Sequence, residues 1–455
     1  MQMVNSYIGK KAGKTAMEKT PLESWIVHKT GIKEYSRNLL EEYQLYYLKE
    51  TISYAKKNSA FYRNLLSNIN ENEIRSFADF KNVPYTTSKH IGQNPFDFLC
   101  VPQRDVKRII TLNSSGTTGK EKRILFTEED LDLTVEFFQF GFKPMLKTGD
   151  RVLVLFPGNS YGSVGDVIKR ALGRLNIENF VQGVLVNPDE TAKFIIENNI
   201  NAIVGIPMQV LYFSRIKSTV FQNFIDKVLL SADYVPEILI RELDHKYGCK
   251  VFTHYGSSEM GYGGGVECSS LNGYHLREAD LYFEIINPDT GETVKNGEYG
   301  EIVFTTLTRQ GMPLIRYRTG DIGSFSTAEC GCGTFLRTMK RSLGRIQNRV
   351  NLSENQFIYL RELDELILAF EDVLDYQTYI ESNNTIVLEI MTESAEIFHN
   401  VKDKIIHSIR TFFQDKFGSN IDISCIQRMG NEPVKIVNSM VKRKILDQRK
   451  EEKTW

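Results

Sequence analysis

Short apolar strands alternate with helical patterns between residues 151 and 255, and this alternation constrains the fold more than any other feature of the sequence. Apolar runs at 151–156, 202–206 and 228–230 are each followed by a helical pattern, the last of them at 237–247. Alternation of this kind is typical of βαβ units and a largely parallel sheet. Because such sheets bind ligands at the carboxyl ends of their strands, we expect the functional site there.

Four polar or glycine-rich loops are predicted to meet at that edge of the sheet. They begin at Ser114, Gly158, Ser231 and Tyr255. Each follows an apolar run with the pattern of a strand, so the four loops are predicted to form one site.

The loop at 114–120 reads Ser-Ser-Gly-Thr-Thr-Gly-Lys and lies between two strand patterns. Glycines let backbone N–H groups approach a ligand closely, while hydroxyl groups and lysine add donors and positive charge. We therefore predict a polyphosphate cradle. It is not a Walker A loop, because Gly116 and Gly119 are too close together and Glu121 follows Lys120. The alternative is an ordinary turn rich in small polar residues.

Two further segments contain candidate ligand-binding side chains. In the loop at 254–265, Tyr255 is predicted to stack on a planar ring and Glu259 to hold Mg²⁺ beside phosphates. The alternative for Glu259 is an exposed loop carboxylate. Asp321 follows Thr319 and Gly320 and is predicted to accept hydrogen bonds from ribose hydroxyls, and its alternative is a turn aspartate.

Composition excludes several classes of protein. The 455 residues are 41% hydrophobic and 25% charged, as in a globular chain of at least two domains. The net charge of -1 argues against a nucleic acid or an anionic membrane as partner. No apolar run reaches the roughly 20 residues of a membrane helix, and the polar N-terminus lacks a signal-peptide core. We expect a cytoplasmic protein whose six cysteines are reduced or bind metal.

The pattern changes near Leu343. Before it lie the βαβ units and a region of short β segments, and after it come a helix at 359–370, a strand at 385–391, a helix at 395–417 and a strand at 422–426. We predict an α/β protein with a large N-terminal domain, residues 1–343, and a small α+β C-terminal domain, residues 344–455.

With these motifs placed, the chain resembles the adenylate-forming (AMP-binding) superfamily, and within it the phenylacetate–CoA ligase family, from about Tyr43 to Arg345. The resemblance rests on several motifs in the same order: 61–63 (Phe-Tyr-Arg), 83–87 (Val-Pro-Tyr-Thr-Thr), 98–102 (Phe-Leu-Cys-Val-Pro), the hydroxyl loop, 231–233 (Ser-Ala-Asp), 255–259 (Tyr-Gly-Ser-Ser-Glu), 307–321 and 343–345 (Leu-Gly-Arg).

The resemblance implies an AMP-forming acid–thiol ligase. A carboxylate attacks the α-phosphate of ATP to give an acyl-adenylate and pyrophosphate, and CoA then displaces AMP. It also implies a mobile C-terminal domain, a homodimer and the following roles: the phosphates of ATP at Ser115, Gly116, Thr117, Thr118, Gly119 and Lys120; adenine at Ala232, Asp233, Tyr255 and Gly256, with Ser257 and Ser258 beside them; Mg²⁺ at Glu259; ribose at Asp321 and Arg345; and the acyl group at Tyr161 and Gly162.

Two segments depart from the family pattern. The hinge after Arg345 reads Ile-Gln-Asn-Arg where relatives have acidic residues. Near the C-terminus, relatives have a Gly-Lys whose lysine contacts the carboxylate and the α-phosphate. The candidates here are Lys442 and then Lys444, while strict superposition puts Val441 at that position. A basic tail is otherwise a solvated helix face.

Four potential metal ligands flank the same region: Cys268, His275, Cys330 and Cys332. Three thiolates and one imidazole form a closed tetrahedral Zn²⁺ set, so we predict structural Zn²⁺. The alternative is four unrelated residues, with His275 in a β turn. The other cysteines, Cys100, Cys249 and Cys425, are predicted to be small buried apolar residues.

Two alternative functions remain open at this point. The altered hinge is also compatible with an adenylating enzyme that passes the acyl group to a protein, amine or cofactor instead of CoA. The missing Gly-Lys is compatible with a nucleotide-binding homologue that has lost catalysis. The sequence does not name the acid beyond a modest-sized organic carboxylate.

Overall fold

A computed structural model describes residues 20–113, 121–353, 356–418, 421–428 and 443–449 of the chain. The α-helices in these residues are α1 Pro21–Thr30, α2 Arg37–Asn58, α3 Ala60–Leu65, α4 Phe77–Phe80, α5 Ser88–Gln93, α6 Glu128–Phe142, α7 Val164–Arg174, α8 Pro188–Glu197, α9 Pro207–Ile216, α10 Ser218–Phe224, α11 Glu237–Tyr247, α12 Leu360–Ile367 and α13 Ala395–Phe417. None of them has an apolar stretch long enough to cross a membrane.

The strands are β1 Arg108–Asn113, β2 Glu121–Phe126, β3 Arg151–Val154, β4 Glu178–Val181, β5 Ala202–Gly205, β6 Lys227–Leu230, β7 Lys250–Tyr255, β8 Gly265–Glu267, β9 Tyr274–Leu276, β10 Leu281–Ile286, β11 Gly300–Thr306, β12 Tyr317–Gly323, β13 Thr338–Met339, β14 Arg349–Ser353, β15 Gln356–Tyr359, β16 Asp375–Ser382, β17 Thr385–Met391, β18 Asp422–Gln427 and β19 Leu446–Asp447.

A sheet of eight strands forms the centre of the fold, in the order β13-β9-β8-β7-β6-β5-β3-β4. The strands from β4 to β7 are parallel, and β8, β9 and β13 extend the sheet with antiparallel pairs. Val152 and Leu153 point to opposite faces of β3 and both are fully buried, because helices cover the sheet on both sides. The predicted α/β fold with a parallel sheet is therefore confirmed.

The strands on either side of the hydroxyl loop do not join this sheet, contrary to the prediction that the loop leaves its edge. β1 and β2 instead pair with each other as a separate antiparallel ribbon, with Arg108 opposite Phe126 and Asn113 opposite Glu121. The apolar pattern of β2 reported burial correctly, whereas Ile109 in β1 is 44% exposed. Neither pattern specifies a pairing partner.

Element boundaries also differ from the sequence predictions. The apolar spacing at 39–66 is continuous and typical of a single helix, but the structure has two helices there, α2 and α3, separated by Ser59. The Ser59 side chain accepts a hydrogen bond from the amide of Tyr62 (3.2 Å), so it caps α3. The helix expected after the apolar run at 151–156 begins only at Val164. β4, β16 and the helices α1 and α8 were not predicted.

The C-terminal part of the described chain contains a four-stranded sheet, β18-β17-β16-β19, with α12 and α13. Arg215 on α9 connects it to the preceding residues. Its guanidinium pairs with Glu242 on α11 and donates to the carbonyl oxygens of Leu368 (2.6 Å) and Phe370 (3.0 Å), just after α12. The division into domains at Leu343 stays a prediction.

Candidate active site

Three of the predicted loops leave the sheet at one edge. They follow β3, β6 and β7, which run parallel to one another in the central sheet. The fourth, the hydroxyl loop with Ser115, Gly116, Thr117, Thr118, Gly119 and Lys120, lies outside the described residues. Its second flanking strand, β2, nevertheless reaches this edge, because Lys122 contacts a residue in the loop after β7.

Glu259 is the residue that Lys122 contacts, and it is buried rather than exposed on a loop. The residue is 5% exposed, and its Oε1 accepts hydrogen bonds from Lys122 and from the hydroxyl of Tyr317 (2.9 Å). Burial by itself raises the pKa of Glu259, but the charge and hydrogen bond of Lys122 outweigh burial and hold the pKa well below its usual range. The structure therefore has an ionised carboxylate at the end of the ribbon.

Asp321 and Arg345 come together as the motifs suggested. The Arg345 Nε lies 3.2 Å from Asp321 Oδ1, and the Tyr255 hydroxyl donates to Asp321 Oδ2 (3.1 Å). Asp321 lies in β12 and is buried, so it is not a turn residue. Burial and the neighbouring Asp321 charge raise the pKa of Tyr255, which keeps its hydroxyl protonated as a donor.

The predicted adenine loop has a strained backbone. Ala232 has φ of 75°, a conformation that residues with a side chain rarely adopt and that concentrates at functional sites. The neighbouring Ser231 hydroxyl is 2.7 Å from His254 Nδ1, and Asp233 Oδ2 accepts from the backbone amide of Arg443 (3.5 Å). Sequence reasoning did not single out His254 or Arg443, since neither belongs to a recognised motif.

The loop after β7 requires glycine at position 256. A Cβ there would lie 1.8 Å from the carbonyl oxygen of Tyr262, so the chain folds back on itself too closely for a side chain. In the same loop the Ser257 hydroxyl is buried and has no hydrogen-bond partner among the described residues. Ser258 begins a single 3₁₀ turn that contains Glu259. An unpaired buried hydroxyl is a donor that a bound ligand would satisfy.

The two residues predicted for the acyl pocket have different surroundings. Tyr161 is 47% exposed, and its hydroxyl donates to Glu128. Gly162 has φ of 67°, and its carbonyl oxygen accepts from the hydroxyl of Tyr262 (2.8 Å), which connects this loop to the loop of Glu259. Tyr262 was not predicted as a site residue.

The C-terminal lysines are only partly described. Lys442 and Val441 lie outside the described residues. Lys444 is exposed, and its carbonyl oxygen accepts from Gln377 (2.9 Å). Arg443, between the two lysines in sequence, is the residue whose amide faces Asp233.

The predicted zinc ligands form one cluster. The ligand atoms of Cys268, His275, Cys330 and Cys332 all lie within 4.8 Å of one another. Cys268 Sγ is 3.6 Å from Cys330 Sγ, and Cys332 Sγ is 3.5 Å from His275 Nε2. His275 lies in β9 and not in a turn. Sulfur atoms about 2.3 Å from a tetrahedral Zn²⁺ ion are separated by about 3.8 Å, so the cluster fits that ion.

The remaining cysteines match their prediction only at one position. Cys249 is fully buried, whereas Cys100 and Cys425 are partly exposed. The sequence pattern did not distinguish a fully buried position from one at the edge of the core.

The chain is similar in sequence to phenylacetate–CoA ligases over most of its length. It is 25% identical over 431 residues to the phenylacetate–coenzyme A ligase of Thermus thermophilus, covering 88% of this chain and 94% of that protein. It is 28% identical over 307 residues to the enzyme of the same name from Aromatoleum evansii, covering 64% of this chain and 68% of that protein. No protein-family model matches the chain.

The fold is that of the adenylate-forming CoA ligases. The structure superposes on a crystal structure of 2-hydroxyisobutyryl-CoA ligase in the postadenylation state, in complex with R3-HIB-AMP, with a TM-score of 0.77, 19% sequence identity and coverage of 90% of both chains. This similarity confirms the fold expected from the sequence motifs.

Proposed function

We propose that this chain is an AMP-forming carboxylate–CoA ligase, which activates an aryl or acyl carboxylic acid as its adenylate and transfers it to CoA. The observation that carries the proposal is that Lys122 and Tyr317 both contact Glu259. This contact lies at the edge of the central sheet where the loops after β6 and β7, which contain Asp233 and Glu259, begin. The sequence similarity to phenylacetate–CoA ligases over 88% of the chain supports it.

In this proposal the chain acts mainly by positioning and by charge. The Asp321 carboxylate accepts from the ribose hydroxyls, while Arg345 beside it forms an ion pair with that carboxylate and fixes its position. The hydroxyl loop holds the phosphates, and Lys122 supplies a fixed positive charge where pyrophosphate develops its own negative charge. Holding the acid in line with the α-phosphate then accounts for much of the rate enhancement.

Mg²⁺ fits the site through Glu259, since a buried, ionised carboxylate is a ligand that Mg²⁺ prefers. Bound there beside the phosphates, Mg²⁺ would neutralise the charge on the leaving pyrophosphate. We assign Glu259 as the residue that would hold Mg²⁺. Lys122 and Tyr317 would position Glu259, because both donate hydrogen bonds to its Oε1.

The test is pyrophosphate and AMP release from ATP and Mg²⁺ across a panel of aryl and acyl carboxylates, with and without CoA. Turnover that requires CoA supports the ligase and identifies its acid. Pyrophosphate formation without CoA, reversed by added pyrophosphate, favours the alternative acceptor. ATP binding without turnover on any acid contradicts the proposal and favours the non-catalytic homologue.

The C-terminal lysine is tested by a matched pair of variants. We expect Lys442→Ala to abolish acid-dependent ATP–pyrophosphate exchange, and Lys444→Ala to retain it, because Lys444 is exposed and lies one residue beyond the Arg443 amide that faces Asp233. If both variants retain the same rate of ATP–pyrophosphate exchange, Lys442 has no role in the adenylation step.

We also propose that Cys268, His275, Cys330 and Cys332 hold a structural Zn²⁺ ion, supported by the closeness of their ligand atoms. Cys330→Ser should lower the zinc content of the purified protein from one equivalent toward zero and lower its melting temperature. Cys425→Ser, outside the cluster, should change neither. Metal analysis that finds no zinc in the wild-type protein would contradict the proposal.

The predicted homodimer and cytoplasmic location stay predictions. Sedimentation velocity tests the first and cell fractionation tests the second.

A further inference from the structure

The β1–β2 ribbon extends along the candidate site from the Glu259 end to the acyl end. Lys122, at one end of β2, contacts Glu259, and Phe126, at the other end, stacks on Tyr262 with ring centroids 5.9 Å apart. Antiparallel strands rise about 3.4 Å per residue, so the Cα atoms of these two β2 residues are roughly 14 Å apart. That distance exceeds the length of a small acid, so the two ends of the ribbon would face different groups of the substrate.

Arg108 stands at the acyl end of the ribbon. It pairs with Phe126 in the β1–β2 register. Its Cγ lies 3.2 Å from the position of a Cβ added to Gly162, so the side chain passes directly against the loop predicted to form the acyl pocket. The charge of Arg108 also acts on the Tyr262 phenol, where it opposes the rise of the pKa to about 12 that burial causes.

The Arg108 guanidinium lacks an anionic partner in the described part of the chain. Its Nε is buried and makes no hydrogen bond there, and no described carboxylate lies within the 4.0 Å of an ion pair. Asp166, in the first turn of α7, accepts a hydrogen bond from the amide of Gly162 (2.8 Å) and is not within ion-pair distance of Arg108. By contrast, the buried guanidinium groups of Arg215 and Arg316 each contact a glutamate.

We propose that Arg108 binds a second, anionic group of the substrate acid, so that the preferred substrates are dicarboxylic acids or acids with an equivalent distal anion. A partly buried guanidinium with an unpaired N–H is stabilised by a carboxylate, whose two oxygens match its donors. This inference rests on the proposed function, because it assigns the far end of the acid that the ligase would activate.

The experiment compares monocarboxylates and α,ω-dicarboxylates of equal carbon number, from four to eight carbons, together with phenylacetate and 4-carboxyphenylacetate. The wild-type protein should prefer one length of dicarboxylate over its monocarboxylate by on the order of 10- to 100-fold in kcat/KM, the range for a hydrogen-bonded charge pair. In Arg108→Gln that ratio should fall toward one, mainly through a higher KM for the dicarboxylate. Arg108→Lys should keep part of the preference.

Lys107→Gln is the matched control, since it removes an equal charge from an exposed neighbour and should leave the ratio at its wild-type value. A wild-type protein without the preference, or an Arg108→Gln variant that loses activity equally on both acids of a pair, overturns the inference. If no acid is turned over, the proposed function fails, and calorimetric titration of dicarboxylates then tests the role of Arg108. Binding to the wild type and not to Arg108→Gln supports the inference. Absence of binding to the wild type overturns it.

Discussion

The contact between Lys122 and Glu259 makes a quantitative prediction about stability. Both residues are buried, with 9% and 5% exposure, and they lie beside Tyr317. Lys122→Met removes the charge but keeps an apolar chain of similar length. Leaving one member of a buried ion pair without its partner costs about 3–5 kcal/mol of folding free energy. Because Tyr317 still donates to Glu259, we expect the lower end, about 3 kcal/mol at pH 7.

The cost should depend on pH with a defined sign. In the wild type the pKa of Glu259 is lowered, so the stability from its ionised form is present above the unfolded pKa of about 4.3 and is lost as the pH falls further. In Lys122→Met burial dominates and raises the pKa of Glu259. The variant then recovers stability as Glu259 takes up a proton. The difference between the two proteins should therefore be largest at neutral pH and should narrow toward acidic pH.

The assay is urea unfolding of the wild type, Lys122→Met, Glu259→Gln and the double variant at pH 5 and pH 7. Since Glu259→Gln removes the charge that Lys122→Met leaves unpaired, the double variant should be more stable than the sum of the two single effects predicts. Single effects that add within about 0.5 kcal/mol would refute the pairing, because independent sites behave in that way. If the stability difference between the wild type and Lys122→Met is the same at both pH values, the raised pKa expected for Glu259 in that variant is refuted.

Three further predictions concern other buried groups. Burial lowers the pKa of His254 to about 3, while the unfolded chain binds the proton with a pKa of about 6.5. The wild type should therefore lose about 1.2 kcal/mol of stability from pH 6 to pH 5, and His254→Gln should lack this loss in urea unfolding. Gly256→Ala should lower the melting temperature because its Cβ would meet the Tyr262 carbonyl. Gly173→Ala on α7 should not, because no described atom lies within 4 Å of a Cβ added there. Arg215→Met should cost about 3–5 kcal/mol in the same unfolding assay by leaving Glu242 buried and unpaired, while Arg170→Met, whose ion pairs are half-exposed, should cost under about 1 kcal/mol.

Much of the fold could be read from the sequence because burial leaves a pattern in it. The apolar runs of β3, β5 and β6 and the three- and four-residue spacing of the helices record which faces are covered, and these elements were found where they were predicted. Boundaries were less accurate at Ser59, where a helix cap interrupts a spacing that looks continuous. β4 was missed because its side chains are only partly buried or exposed.

The sequence by itself determined the parallel sheet and the order of the motifs. It also singled out Asp321, Arg345 and the residues of the cysteine–histidine cluster as candidate site residues. Only the tertiary structure decided that β1 and β2 form their own ribbon, that Lys122 faces Glu259 and that Arg108 stands against Gly162 and Tyr262. The physical reason is that periodicity along the chain reports whether a side chain is buried. It does not report which distant residue, 137 positions away for Lys122 and Glu259, becomes its partner.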